Sequence, residues 1–203
     1  MRIIFIRHGE TDSVRKYIWN GTNDSQRPLN KTGIMQINQL IPFLKNYRPE
    51  IIYTSPLYRA IHTTQILQEE FNVESVLEKN LSETHFGDWE GLSMDEINQK
   101  YQSDFKQWME NPTIFSPPKS EPLNNLISRV KSFIDNLIIT NKTKNKDYFV
   151  VTHGGPIRAM IIDLLNIDLS LYWRIQIPHG SATCFEFKND LIQLKYMGQI
   201  AIN

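Results

Sequence analysis

The hydrophobic positions of the chain fall into short, unbroken apolar runs that alternate with longer stretches of helical period. Met1–Ile6 (MRIIFI) is one such run, and a strand apolar at nearly every position is one buried on both faces. Ile51–Thr54 and Tyr148–Thr152 repeat the pattern, with Val73–Leu77 as a weaker strand. Thr32-Gly33 opens a helix that aligns Ile34, Ile37, Leu40 or Ile41, and Leu44, and Pro42 is expected to kink or shorten it. Pro56 suits the first turn of a second helix, whose buried stripe is Leu57, Ala60, Ile61, Thr64 and Leu67. Ser93-Met94-Asp95-Glu96 is a capping box, and the helix it starts keeps an apolar side through Phe105 and Trp108 to about Glu110. The clearest amphipathic stripe runs Leu123, Leu126, Ile127, Val130, Phe133, Ile134, Leu137, Ile138. A last helix follows His153-Gly154-Gly155-Pro156 and continues through Asn166. Strands Ala182–Phe187 and Leu191–Met197 are joined as a hairpin through Lys188-Asn189-Asp190.

Polar segments punctuate this pattern. Asp12–Asn30 reads as a loop, and Asn111–Pro122, with four prolines, as a connection. Lys142-Thr143-Lys144-Asn145-Lys146 reads as a solvated basic turn. The alternation of strands and helices predicts an α/β three-layer sandwich, a mostly parallel central sheet flanked by helices. One domain should span 1–203, with residues 92–122 as a helical, lid-like insertion over the sheet.

Composition narrows the function classes. With 203 residues the chain can bury a core without staples. Lys+Arg and Asp+Glu both number 22, so the net charge is zero and neither nucleic acid nor an anionic membrane is indicated as a partner. Any anion bound here must meet a local cluster of positive charge. A single cysteine, Cys184, excludes an intramolecular disulfide and fits a reducing compartment. Met1–Ile6 is too short for a signal sequence and no run reaches membrane-spanning length, so a cytoplasmic location is expected. No metal-ligand spacing such as C-x-x-C or H-E-x-x-H occurs, and neither metal nor cofactor is expected.

The candidate chemistry sits at strand ends. The first strand stops at Arg7-His8-Gly9-Glu10-Thr11, the second at Ser55-Pro56 with Arg59 in the following helical turn, and the Tyr148 strand at His153-Gly154-Gly155. In parallel α/β sheets ligands sit beyond the carboxyl ends of the strands, so these groups share one rim. A guanidinium binds phosphoryl oxygens through a planar fork, and a neutral imidazole nitrogen can attack phosphorus. Glycine N–H groups at a helix N-terminus attract phosphate. Between the second and last parallel strands lies Leu81–Gly91, with three carboxylates, one histidine, two aromatics and two glycines in eleven residues. A carboxyl group beside apolar rings and a phosphate dianion has reason to stay protonated and act as a general acid. Trp19, ahead of Asn20-Gly21, either meets substrate at the rim or covers the edge of the core.

Taken together, Arg7–Thr11, Ser55-Pro56-Leu57-Tyr58-Arg59-Ala60, Glu83 with Phe86-Gly87-Asp88-Trp89-Glu90-Gly91, and Thr152-His153-Gly154-Gly155 resemble the histidine phosphatase, or phosphoglycerate mutase-like, superfamily. The match follows the family's order along nearly the whole chain. The resemblance implies that His8 is the nucleophile that becomes phosphohistidine and Glu83 the proton donor. It implies phosphoryl contacts from Arg7, Arg59 and His153, with Gly154 and Asn20 as accessory contacts. Gly21, Thr22, Phe86 and Trp19 are expected on the substrate side. The partner implied is a small phosphomonoester, and a homodimer stays open.

Within the superfamily, chain length, the Leu81–Gly91 stretch and Gly180-Ser181-Ala182-Thr183 are most similar to α-ribazole phosphatases, which act on α-ribazole 5′-phosphate in cobalamin assembly. Trp19, Phe86, Trp89, Trp108 and Trp173 would supply surface for a flat base. Val14, the Gly21–Pro28 loop and Lys119-Ser120-Glu121-Pro122 depart from the family pattern and are candidates for lining the substrate side. The alternatives are a broad-specificity phosphatase, a phosphoglycerate mutase, or a non-catalytic binding module on the same fold. Should Glu83 not be the acid, Glu10 or Asp88 is next in line.

Overall fold

The computed structural model describes residues 1–23, 27–141, 145–188 and 191–201. The expected basic turn at Lys142, Thr143 and Lys144, the hairpin tip at Asn189-Asp190 and residues 24–26 of the Gly21–Pro28 loop lie outside the described residues. Six strands, β1 (Arg2–Arg7), β2 (Pro49–Thr54), β3 (Ser75–Leu77), β4 (Asp147–Thr152), β5 (Ala182–Lys188) and β6 (Leu191–Gln199), form one sheet in the order β3-β2-β4-β1-β5-β6. β3, β2, β4 and β1 run parallel, and β5 and β6 are antiparallel additions at one side.

The unbroken apolar runs have a direct explanation. Ile3 and Phe5 of β1 and Tyr148 and Val150 of β4 face one core, shared with α6 (Leu123–Asn141) and α7 (Gly154–Leu165). Ile4, Ile6, Phe149 and Val151 face the other, shared with α2 (Lys31–Leu44) and α3 (Tyr58–Phe71). Alternate residues of each strand thus enter opposite cores, which makes three layers. At the entry ends of the strands, Asp147 accepts both Arg2 Nε (2.6 Å) and Nη2 (2.8 Å) and the Arg48 N–H (2.8 Å), pinning β1, β2 and β4 together.

Several elements differ from expectation. The polar Asp12–Asn30 stretch holds a short helix, α1 (Asp12–Arg15), and is tied down by an Ile18–Ser93 bridge. Pro42 stands in the last turn of α2, where the helix ends two residues later. Pro56 precedes the helix, because α3 begins at Tyr58 after Leu57 as its N-cap. The buried face of α3 is Arg59, Ala60, Thr63, Thr64 and Leu67, rotated from the expected stripe because Arg59 points inward. The helix opened by the Ser93–Glu96 capping box is two helices, α4 (Met94–Lys100) and α5 (Gln102–Glu110). Tyr101 leaves helical geometry between them (φ −135°), which lets Ile97 and Trp108 reach the same aromatic cluster.

Candidate functional site

The register of the sheet builds the site. Arg7 pairs with Thr152 across β1 and β4, and Thr54 pairs with Val151 across β2 and β4. The residues that follow each strand, His8, His153 and Ser55, therefore emerge side by side at one rim. The His8 and His153 rings lie 5.0 Å apart. Arg59 comes down from the first turn of α3 into the gap between them.

The hydrogen bonds fix the tautomers. Arg59 Nε donates to His8 Nε2 and to His153 Nδ1, each at 3.2 Å, so both nitrogens present lone pairs. His8 Nδ1 carries the proton and donates to the Gly9 carbonyl at 2.7 Å. His153 Nε2 meets Ser55 Oγ at 2.7 Å. Burial, followed by the Arg59 charge, holds both imidazoles well below the ordinary histidine pKa. His8 is thus neutral with its Nε2 lone pair in the site. Arg7 donates to the Ile177 carbonyl and, at 2.8 Å, to His179 Nε2, and its buried Nε has no hydrogen-bond partner among the described residues. Burial and, next, the Arg158 charge bring the Arg7 pKa down to about 10.

Glu83 is held by its neighbours. Its Oε1 accepts the Thr84 N–H at 2.8 Å, and its Oε2 accepts the Gly155 N–H at 3.3 Å, at the N-terminus of α7. Beside it opens a cavity of about 390 Å³, whose lining includes Arg7, His8, Trp19, Asn20, Gly21, Arg59, Glu83, Phe86 and Gly154. Asn20 Oδ1 accepts from Arg27 at 2.9 Å. His153 is fully buried behind Arg59 and does not itself line the cavity.

Three expectations are corrected. Thr22 is outside the cavity lining, because its N–H and hydroxyl both bond Glu90 Oε1. Trp89 and Trp108 are core residues of an aromatic cluster that also takes in Trp19, Phe86 and Trp173, which leaves those last three for the cavity wall. Of the family departures, Val14 lines the cavity, whereas Lys119 bonds Asp88 and Glu121 bonds Arg129 away from it. The Gly9 N–H points to Thr63 Oγ1 at 3.3 Å, and a Cβ there would lie 2.4 Å from the Gly33 carbonyl oxygen. It is glycine because α2 crosses the chain at that point.

Other site residues carry no strand-end signal in the sequence. The His179 ring is 5.0 Å from His8 and its Nδ1 lies 3.3 Å from the His8 carbonyl. The Arg158 guanidinium stands over Tyr172 and Trp173, held by the Ile175 carbonyl at 2.7 Å. Met94, Phe105 and Met109, from α4 and α5, complete an apolar wall opposite the charged floor. Among the described residues no group of three or more His, Cys, Asp and Glu side chains converges as metal ligands would.

This rim of imidazoles and guanidinia under an apolar wall defines a phosphohydrolase of the histidine type. The chain belongs to the histidine phosphatase superfamily (branch 1), whose family model matches residues 3–200. Phosphoserine phosphatase 1 of Hydrogenobacter thermophilus is 31% identical over 185 residues, covering 89% of this chain and 84% of that protein. Phosphoglycerate mutase of Schizosaccharomyces pombe is 30% identical over 167 residues, covering 80% and 78%. The fold matches the crystal structure of the alpha-ribazole phosphatase from Shigella flexneri with a TM-score of 0.86 at 23% identity, covering 100% of this chain and 98% of that one. No helix among the described residues is long and apolar enough to cross a membrane.

Proposed function

We propose that this phosphatase hydrolyses small phosphomonoesters through a phosphohistidine on His8. The observation that carries the reading is the Arg59 Nε shared between His8 Nε2 and His153 Nδ1, beside the Arg7 Nε that has no partner among the described residues. A neutral nucleophile and donors for the three equatorial oxygens meet at one point, which is most of what phosphoryl transfer asks of a protein. His8 Nε2 attacks phosphorus, the P–O bond to the leaving group breaks, and Glu83 gives that oxygen its proton. Water then attacks the phosphohistidine, Glu83 takes a proton from it, and the P–N electron pair returns to Nε2. Arg7 and Arg59 hold the charge, with Gly154 and the Asn20 amide as further contacts. On phosphate binding Arg59 Nε turns from His153 Nδ1 to a phosphoryl oxygen, the ring proton of His153 moves from Nε2 to Nδ1, and Ser55 Oγ donates to the freed Nε2, which gives the phosphoryl group an Nδ1–H donor.

The finer reading is a leaving group with a flat ring, α-ribazole 5′-phosphate of cobalamin biosynthesis. It is supported by the aromatic wall of Trp19, Phe86, Phe105 and Trp173 and by the likeness to an alpha-ribazole phosphatase fold. Within residues 92–122, Met94, Phe105 and Met109 serve as part of the substrate wall. The test has two parts. Brief reaction with labelled substrate should leave acid-labile, alkali-stable phosphate on the protein, absent in His8→Ala, and normal turnover by that variant would sink the mechanism. Phosphate release should then be compared across α-ribazole 5′-phosphate, phosphoserine and 3-phosphoglycerate, the last also with a bisphosphate primer. A flat profile means broad specificity, and isomerisation in place of release means a mutase.

A further inference from the structure

Glu90 belongs to the Phe86–Gly91 motif but is absent from the lining of the cavity. Its side chain is only 10% exposed, and one oxygen, Oε1, gathers four donors. These are the Thr22 N–H at 2.7 Å, the Thr22 hydroxyl at 3.0 Å, His85 Nδ1 at 2.9 Å and the Phe86 N–H at 3.1 Å. The oxygen therefore staples the loop after Asn20 to the loop that carries Phe86.

The residue before Thr22 links this staple to the reaction. Gly21 has φ +48°, and a Cβ there would lie 2.1 Å from Glu90 Oε1, so glycine is what lets the loop fold over the carboxylate. The Gly21 carbonyl then accepts from Arg59 Nη2 at 2.9 Å. The same guanidinium meets His8 and His153 through Nε, so the carbonyl sets the tilt of its plane about those two contacts.

We propose that Glu90 is a positioning residue of the phosphoryl-transfer site: it fixes the Gly21 carbonyl that orients Arg59, and through the same oxygen seats Phe86 in the cavity wall. The inference rests on the reading above in which Arg59 holds the phosphoryl group. A carboxylate suits the task because charge-assisted hydrogen bonds are about twice as strong as neutral ones, and this oxygen must hold two backbone and two side-chain donors at once.

The test is a double-mutant cycle on phosphate affinity. Binding of inorganic phosphate is measured by calorimetry for the parent protein, Glu90→Gln, Arg59→Ala and the double variant, with thermal melts alongside. Glu90→Gln keeps shape and removes charge, so it should fold, lose about tenfold in phosphate affinity and lower kcat for p-nitrophenyl phosphate. In the Arg59→Ala background the same change should cost less than about twofold, because the guanidinium it orients is gone. A purely structural role would shift the melt and leave phosphate affinity alone, and that result overturns the proposal. Equal losses in both backgrounds overturn it too, since Glu90 would then act without Arg59. If Arg59→Ala itself leaves phosphate affinity unchanged, the wider reading of Arg59 fails, whatever Glu90 does on its own.

Discussion

Gly155 and Glu83 stand so close that no side chain fits between them: a Cβ on Gly155 would lie 2.2 Å from Glu83 Oε1 and 2.9 Å from Thr84 Oγ1. The same glycine donates its N–H to Glu83 Oε2, so the first turn of α7 both holds the carboxylate and leaves room for it. Gly155→Ala should therefore push Glu83 off its position while suiting the helix, where alanine is favoured over glycine by about 1 kcal/mol. Misplacement of a proton donor by about 1 Å is expected to cost on the order of 100-fold in kcat. Thermal melts should show a fold as stable as the parent, and undiminished kcat would mean that Glu83 has freedom the geometry denies it.

Replacing the proton carrier outright separates chemistry from binding. Glu83→Gln keeps the shape but carries no transferable proton, so turnover should fall by about 100-fold or more. Inorganic phosphate should bind within about threefold of the parent, because Arg7 and Arg59 do not depend on Glu83 for their contacts. The other candidate acids are badly placed. Glu10 is bonded by Arg15 and Asn30, Asp88 by Lys119, and neither lines the cavity. Unchanged turnover in Glu83→Gln would force one of them back into consideration.

Acid should unfold this protein through its buried imidazoles. Burial holds His8 and His153 well below the ordinary value of 6.5, and lowers His179, next influenced by Arg7, to about 3. In the native state all three stay neutral where the unfolded chain takes up protons, so unfolding binds protons below pH 6.5. The sign follows: their contribution is intact above about pH 6.5 and is lost as pH falls, for His179 until about pH 3. Each imidazole adds roughly 1 kcal/mol per pH unit to the slope within its window. Urea midpoints between pH 7 and pH 4.5 should decline steeply, and His179→Asn should flatten the decline by about a third if the three contribute alike. A flat profile would mean that these rings are protonated in the folded protein.

How far the sequence announced this site depends on which strand end carries each residue. His8, Arg59 and His153 follow parallel strands, and strand-then-glycine or strand-then-helix junctions are visible as residue patterns. His179 arrives by another route. β5 runs antiparallel to β1, with Ile6 paired to Ala182, so it is the segment entering β5 that reaches the rim. The Gly180 N–H bonds the His8 carbonyl at 3.1 Å and fixes that approach, a contact that no local pattern encodes. Arg158 was hidden in an apolar helix, where only its stacking on Tyr172 and Trp173 gives it away. For Thr22, it is the family resemblance that suggests the substrate side. Only tertiary structure shows that Glu90 claims it.

The aromatic wall should be separable from the charged floor. Trp108 is 5% exposed and packs against Trp173, Trp19 and Trp89, with ring centres 4.4, 5.3 and 5.3 Å away. Their cluster, with Ile97, is separate from the α2–α3 core and joins the α6–α7 core through Trp173. Trp108→Ala removes a buried indole, a change that typically costs about 3–5 kcal/mol where the site cannot collapse. Because Ile97 and Trp108, the buried residues of α4 and α5, pack in this cluster and in neither sheet core, much of that loss should appear as local opening of α4 and α5, read as faster amide exchange there than in β1 and β4. KM for an aromatic phosphomonoester should rise about tenfold, while inorganic phosphate, held at the strand ends, should inhibit as well as before. Equal weakening of both ligands would show that the wall and the floor are one cooperative unit, and the assignment of residues 92–122 to the leaving group would have to be given up.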